Sequence, residues 1–149
     1  MPTSEQTVRT DAGLASELRL AVMRLRRRLA HERDPHNELS LGSMAVLGAL
    51  HRNGEVTIGT LAAHERVQPP SMTRTVTCLA DEGYVERAPH PTDGRQVVVR
   101  LTDAGRAVVL ADRERRDAWL ARRLDALTPE EREALRAAAP ILERLARAD

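Results

Sequence analysis

The chain has little of what most binding chemistries rely on. Only 1% of its 149 residues are aromatic; Phe is absent, and Tyr84 and Trp119 stand alone. Such a chain has no rings on which to stack a row of unpaired bases, which excludes the common single-strand modes. One cysteine, Cys78, rules out an intramolecular disulfide and any Cys-x-x-Cys or Cys/His zinc spacing. His31, His36, His51, His64 and His90 lack the i, i+4 spacing of a helical metal pair, so no metal is expected. Lys is missing as well: all 23 basic residues are Arg, and 22 acidic residues leave a net charge of +1. Bulk charge therefore does not announce a polyanion binder. The longest apolar run, residues 45–50, contains a glycine and falls far short of a bilayer span. Glu5, Arg9, Asp11, Glu17 and Arg19 argue against a signal peptide. A soluble, cytoplasmic protein of one domain or two small ones is expected. The chain also lacks GxSxG, P-loop, HExxH and Rossmann patterns, so neither an enzyme nor a cofactor is expected.

What is present is mostly helical periodicity. Residues 1–10 are polar and aperiodic and are expected to be disordered. Leu14, Leu18, Val22, Leu25 and Leu29 then make a narrow stripe, with Arg19, Arg24, Arg26, Arg27 and Arg28 on the other faces. Asp34-Pro35 stops that helix, because the residue before proline is pushed out of helical backbone. Ser40 caps a second helix carrying Met44, Leu47 and Leu50, which Asn53-Gly54 ends. Thr57 caps a short third helix, and Glu65-Arg66-Val67 is a turn. Pro69 and Pro70 open a fourth helix, where their missing N–H groups are not needed; Met72, Val76 and Leu79 face inward.

At residue 84 the period drops to two. Residues 84–88 and 95–101 read as strands, with Val97, Val99 and Leu101 on one face and a turn-rich tip between them. Thr102 caps a long helix, and Thr128-Pro129-Glu130-Glu131 is a capping box that starts the last one, which Pro140 is expected to bend. The predicted fold class is mainly α with a small β-hairpin wing. Residues 40–101 would form a winged helix-turn-helix DNA-binding domain, and residues 11–39 with 102–149 a helical dimerisation region.

The fourth helix carries hydroxyls, amides and one Arg, with no acid between Gln68 and Ala80, which suits a major groove. Gln68, Pro69, Ser71, Thr73, Arg74, Thr75 and Thr77 are the candidate contacts there; the same residues would also make an ordinary polar helix face. Asp93-Gly94-Arg95 adds Asp93 and Arg95 at a hairpin tip thin enough for the minor groove, the carboxylate orienting the guanidinium. Between His51 and Leu101, six Arg minus six acids gives zero, so the field must come from placement, and a modest salt slope is expected. Cys78 is read as a small thiol packed under the helix rather than a redox switch.

Leu61-Ala62, Val67, Ser71-Met72-Thr73-Arg74, Val76, Leu79, Gly83-Tyr84-Val85, Asp93-Gly94-Arg95 and Leu101-Thr102-Asp103-Ala104-Gly105 resemble the MarR family of bacterial transcriptional regulators. The likeness runs from about residue 11 to 147. It implies a homodimer on double-stranded DNA, with the first and last two helices at the dimer interface. It also implies release of DNA on binding a small phenolic or lipophilic effector. Pro69-Pro70 stands where relatives carry polar residues, and few aromatics are available to line an effector pocket. Relatives that sense peroxides use a cysteine in the first helix, and this chain has none there. Met23, Met44, Leu47 and His51 are the candidate effector residues. The expectation is a ligand-responsive repressor acting as a homodimer on a pseudo-palindromic operator. The alternative is a winged helix used for protein interaction without DNA, which the Pro-Pro pair and the neutral charge favour.

Overall fold

A computed structural model describes residues 11–148; the expected disorder of residues 1–10 lies outside them. In order the elements are α1 (Asp11–Ala30), α2 (Leu41–Asn53), β1 (Val56–Thr57), α3 (Ile58–Glu65), α4 (Pro69–Asp81), β2 (Val85–Pro89), β3 (Val97–Leu101), α5 (Asp103–Asp125) and α6 (Pro129–Arg147). The chain divides into two compact units, Arg33–Glu114 and the remainder on either side.

Local chemistry sets the helix boundaries. The Ser40 hydroxyl accepts the Ser43 N–H at 3.0 Å and the Thr57 hydroxyl that of Thr60 at 3.1 Å, so both residues cap as their sequence predicts. Gly54 ends α2 at φ 73°, a conformation that only glycine adopts without strain. The α3–α4 turn is made differently. Arg66 takes φ 53° and donates its N–H to the carbonyls of Ala62 and Ala63, a left-handed helix cap held by a non-glycine residue. Pro69 and Pro70 fill the first turn of α4, and Gln68 at its N-cap makes no side-chain capping bond.

Within Arg33–Glu114 the core gathers Val46, Leu47, Ala49 and Leu50 of α2, Leu61 and Ala62 of α3, and Met72, Val76 and Leu79 of α4. Val85, Val99 and Val109 complete it. The sheet has three antiparallel strands in the order β1-β3-β2, one more than the sequence predicts. β1 pairs Val56 with Val99 and Thr57 with Val98; β2 pairs five residues with β3, from Val85–Leu101 to Pro89–Val97. β3 is therefore a central strand, and the expected alternation gives way. Val98, placed between Ala88 and Thr57, is as buried as its neighbour Val99, whereas Val97 is exposed.

The start of α5 is docked on the turn that follows α4. The Thr102 hydroxyl donates to the Gly83 carbonyl at 2.7 Å and accepts the Gly105 N–H at 3.1 Å, while the Thr102 N–H donates to the Tyr84 carbonyl at 3.2 Å. Gly105 lies so close that a Cβ there would stand 2.1 Å from the Tyr84 oxygen. The Leu-Thr-x-x-Gly segment thus joins the exit of α4, the entry to β2 and the start of α5.

The second unit has little interior of its own. Trp119 is buried under two guanidinium groups, Arg28 at 4.8 Å and Arg123 at 5.3 Å from the ring centroid. Arg28, one of the arginines off the apolar stripe of α1, is thus partly committed to a ring. The predicted capping box is present at Thr128 and Glu131. α6 has no buried residue: Leu135, Ile141, Leu142 and Leu145 are exposed on it, as Leu14, Leu20, Val22, Met23 and Leu25 are on α1. Among the described residues, no helix is long and apolar enough to cross a membrane.

Candidate nucleic-acid interface

α4 buries Met72, Val76 and Leu79, and this row determines what the rest of the helix can present. Gln68, Pro69, Ser71, Thr73 and Arg74 are exposed, as the sequence predicts; Thr75 and Thr77 are half-buried. Arg74 makes no ion pair among the described residues, so its guanidinium fork is unengaged. The three threonine hydroxyls are committed differently. Thr73 donates to the Pro69 carbonyl at 3.0 Å, Thr75 to Ser71 at 3.1 Å and Thr77 to Thr73 at 2.8 Å, each closing onto the preceding turn. While so bonded, Thr73 and Thr75 offer oxygen lone pairs, which suit the exocyclic amino groups of bases better than phosphate oxygens. Cys78 is exposed, not packed beneath the helix. Its outward side is the one the heptad of buried residues leaves open.

The hairpin is tied to α4 by Arg87 of β2, whose Nη1 donates to the Thr77 hydroxyl at 3.2 Å. Sequence reasoning missed Arg87, since nothing local distinguishes it from any exposed strand arginine. On the same strand pair Glu86 and Arg100 stand opposite each other and form an ion pair of 2.8 Å. Both are more than half exposed, so solvent screens the pair and it adds little to stability.

At the tip the Asp93 carboxylate organises the loop. Its Oδ1 accepts the Arg95 backbone N–H at 3.1 Å and the Arg95 Nε–H at 3.3 Å; its Oδ2 accepts the Gln96 side-chain amide at 3.2 Å. The Arg95 side chain remains 93% exposed, so this tether orients the guanidinium without withdrawing it. The backbone N–H of Arg95 is the main cause holding the Asp93 carboxyl below its usual range, with the Gln96 amide and the Arg95 guanidinium adding to it. A carboxyl depressed in the folded state contributes its order above its unfolded value and loses it as pH falls through the folded value. The loop is therefore expected to keep these bonds through the ordinary aspartate range and to open only at lower pH. Carboxyl carbon shifts of Asp93, followed with the Arg95 amide by NMR, check this: an Asp93 titrating at the ordinary value would contradict it.

Of the candidate effector residues, Met44, Leu47 and His51 follow one another along α2, and Met23 belongs to the other unit. Leu47 is fully buried in the core, Met44 is half-buried against it and accepts the Asn37 side-chain amide on its sulfur at 3.4 Å. His51 is half-buried, with its Nδ1 enclosed and unbonded, and Met23 is exposed on α1 in the other unit. A cavity of about 700 Å³ does open in Arg33–Glu114, lined by the 34–43 connection, Glu82, Tyr84 and the Ala107–Asp112 face of α5. None of Met44, Leu47 and His51 lines it.

Two short helices around a tight left-handed turn, followed by a hairpin whose tip carries Asp93 and Arg95, define a winged helix-turn-helix protein. The sequence model of the MarR family matches residues 39–97. The chain is 50% identical to an HTH-type transcriptional regulator of Mycobacterium bovis over 133 residues, 89% of this chain and 92% of the relative. A crystal structure of a transcriptional regulator from Pseudomonas aeruginosa superposes with a TM-score of 0.82 at 34% identity, over 99% of each chain. The fold is also that of FabT of Streptococcus pneumoniae, solved in complex with DNA (TM-score 0.69, 19% identity, 91% of this chain and 96% of that one). The chain belongs to the MarR family of transcriptional regulators, which are not enzymes.

Proposed function

We propose that this protein is a sequence-specific double-stranded DNA-binding repressor, cytoplasmic, acting as a homodimer on a pseudo-palindromic operator. The observation that carries this is the pairing of an acid-free exposed helix face, with Arg74 unengaged, and a tethered, outward Arg95 on the hairpin tip. Gln68, Pro69, Ser71, Thr73, Arg74, Thr75 and Thr77 would lie along the major groove, with Asp93 aiming Arg95 into the minor groove. The DNA-bound FabT supports this, since its fold is the same. The exposed leucines of α1 and α6 support a dimer: apolar rows of that size on a soluble protein mark an interaction surface, and helix pairing with a second copy would cover them. Residues 40–101 would then be the DNA-binding part, with residues 11–39 and 102–149 carrying the dimer. A twofold would set the two α4 helices about 34–36 Å apart, one turn of duplex.

Response to a small effector is part of the proposal. The cavity beside the first turns of α5 offers the room; Met23, Met44, Leu47 and His51 do not line it and enter the proposal only as what the family resemblance implies. The lining offers Tyr84 and His36 as its only rings and sets Leu39 and Val108 among Asp34, Glu38, Glu82 and Asp112, a mixed polar surface.

A salt titration of duplex binding tests the function. Each neutralised phosphate contributes about −0.9 to the slope of log K against log salt. A few arginines against balanced acids predict a linear fall with a modest slope. Binding to protein partners with no salt-dependent duplex affinity would establish the interaction module instead.

A further inference from the structure

His90 stands at the entry to the hairpin tip and is half-buried. Its Nδ1 lies 3.2 Å from the Thr92 backbone nitrogen, 3.1 Å from that of Asp93 and 3.3 Å from the Thr92 hydroxyl. Both backbone groups can only donate. Nδ1 is therefore the acceptor of both N–H groups, the role of the Nε2–H tautomer. The pattern copies an Asx turn, in which Asp or Asn gathers the N–H groups two and three residues ahead. The His90 backbone N–H in turn donates to the Gln96 carbonyl at 3.1 Å, and the Gln96 N–H donates to the Asp93 carbonyl at 3.0 Å. His90 thus gathers the entry side of the loop while the Asp93 carboxylate gathers the exit side. The two meet at Asp93, which supplies an N–H to the one set and a carboxylate to the other.

We propose that His90 is a positioning residue for Arg95. By capping the Thr92 and Asp93 N–H groups it holds the Asp93 backbone, and through the Asp93 carboxylate it sets where the Arg95 guanidinium stands against the minor groove. This rests on the duplex-binding function proposed above. His90 touches no DNA in this role. It acts by reducing the number of conformations from which Arg95 must be recruited on binding, a cost otherwise borne by the complex.

Two variants separate the acceptor from mere bulk. His90→Asn keeps an acceptor at the Asx position, whereas His90→Leu fills similar space without one. Titration of operator duplex by fluorescence anisotropy is expected to show a loss of about three- to tenfold for His90→Leu. His90→Asn is expected to stay within twofold of the unaltered protein. Long-range proton–nitrogen NMR on the unaltered protein is expected to show the Nε2–H tautomer, with slowed exchange of the Thr92 and Asp93 amides. Equal affinities for both variants and the parent, or equal losses in both, would overturn the proposal, as would an Nδ1–H ring. Should the unaltered protein fail to retain any duplex, the function itself is overturned. The tautomer and the two amides then still decide whether His90 holds the loop.

Discussion

Gly105→Ala is expected to lower the stability of the Arg33–Glu114 unit by about 3 kcal/mol or more, the upper end of what overpacking costs. The new Cβ would stand 2.1 Å from the Tyr84 carbonyl oxygen and 3.0 Å from Leu101 Cδ2. A flexible side chain could swing aside, but a carbonyl cannot move alone. The Tyr84 oxygen also accepts the Thr102 N–H, and the neighbouring Gly83 carbonyl accepts the Thr102 hydroxyl. Relief of the clash therefore breaks bonds worth about 1 kcal/mol each and pulls α5 from the exit of α4. Gly94 makes the control. A Cβ there meets nothing within 4 Å, and Gly94→Ala is expected to change stability by less than about 0.5 kcal/mol. Urea unfolding followed by circular dichroism compares the two; coincident midpoints would refute the packing described for Gly105.

The second large effect concerns affinity. Arg74→Ala is expected to weaken operator binding by about 1–3 kcal/mol and to flatten the preference for one base pair, because a bidentate guanidinium discriminates by pairing with a base edge. Arg95→Ala is expected to weaken operator and unrelated duplex alike and to reduce the salt slope by about 1, since a minor-groove arginine responds to potential more than to base identity. The two residues differ in their tethers. Arg74 has no ion-pair partner among the described residues and is free to fork, while Arg95 is held at its backbone and Nε by Asp93. Anisotropy titrations of both variants against operator and scrambled duplex separate the two roles. A uniform loss from Arg74→Ala, or none from either change, would reverse these assignments.

Features whose physics is local were legible in the sequence. Ser40, Thr57 and Thr128 cap helices because a capping hydroxyl bonds an N–H three residues on, so four residues contain the whole interaction. The inward row of α4 was legible for the same reason: Met72, Val76 and Leu79 need only the helical repeat. Features set by distant partners were not. β1 is two residues long, too short for any period, and exists because β3 offers a free edge. The burial of Val98 follows from that pairing. Gly105 stood out only within a resemblance; its reason is a carbonyl about twenty positions away. In the proposed interface, the Asp93–Arg95 tether was readable from residue type. The Arg87–Thr77 bond and the acceptor role of His90 depended on side-chain positions that no sequence pattern announces.

Footprinting of the purified protein on the DNA upstream of its own gene tests the central claim most directly. A homodimer reading duplex with α4 and the hairpin predicts one protected, pseudo-palindromic segment. Its half-site centres should lie about one helical turn apart, with hypersensitive or protected minor-groove positions at the flanks that Arg95→Ala abolishes. Protection that is absent, or spread evenly without regard to sequence at every concentration that binds, would contradict it.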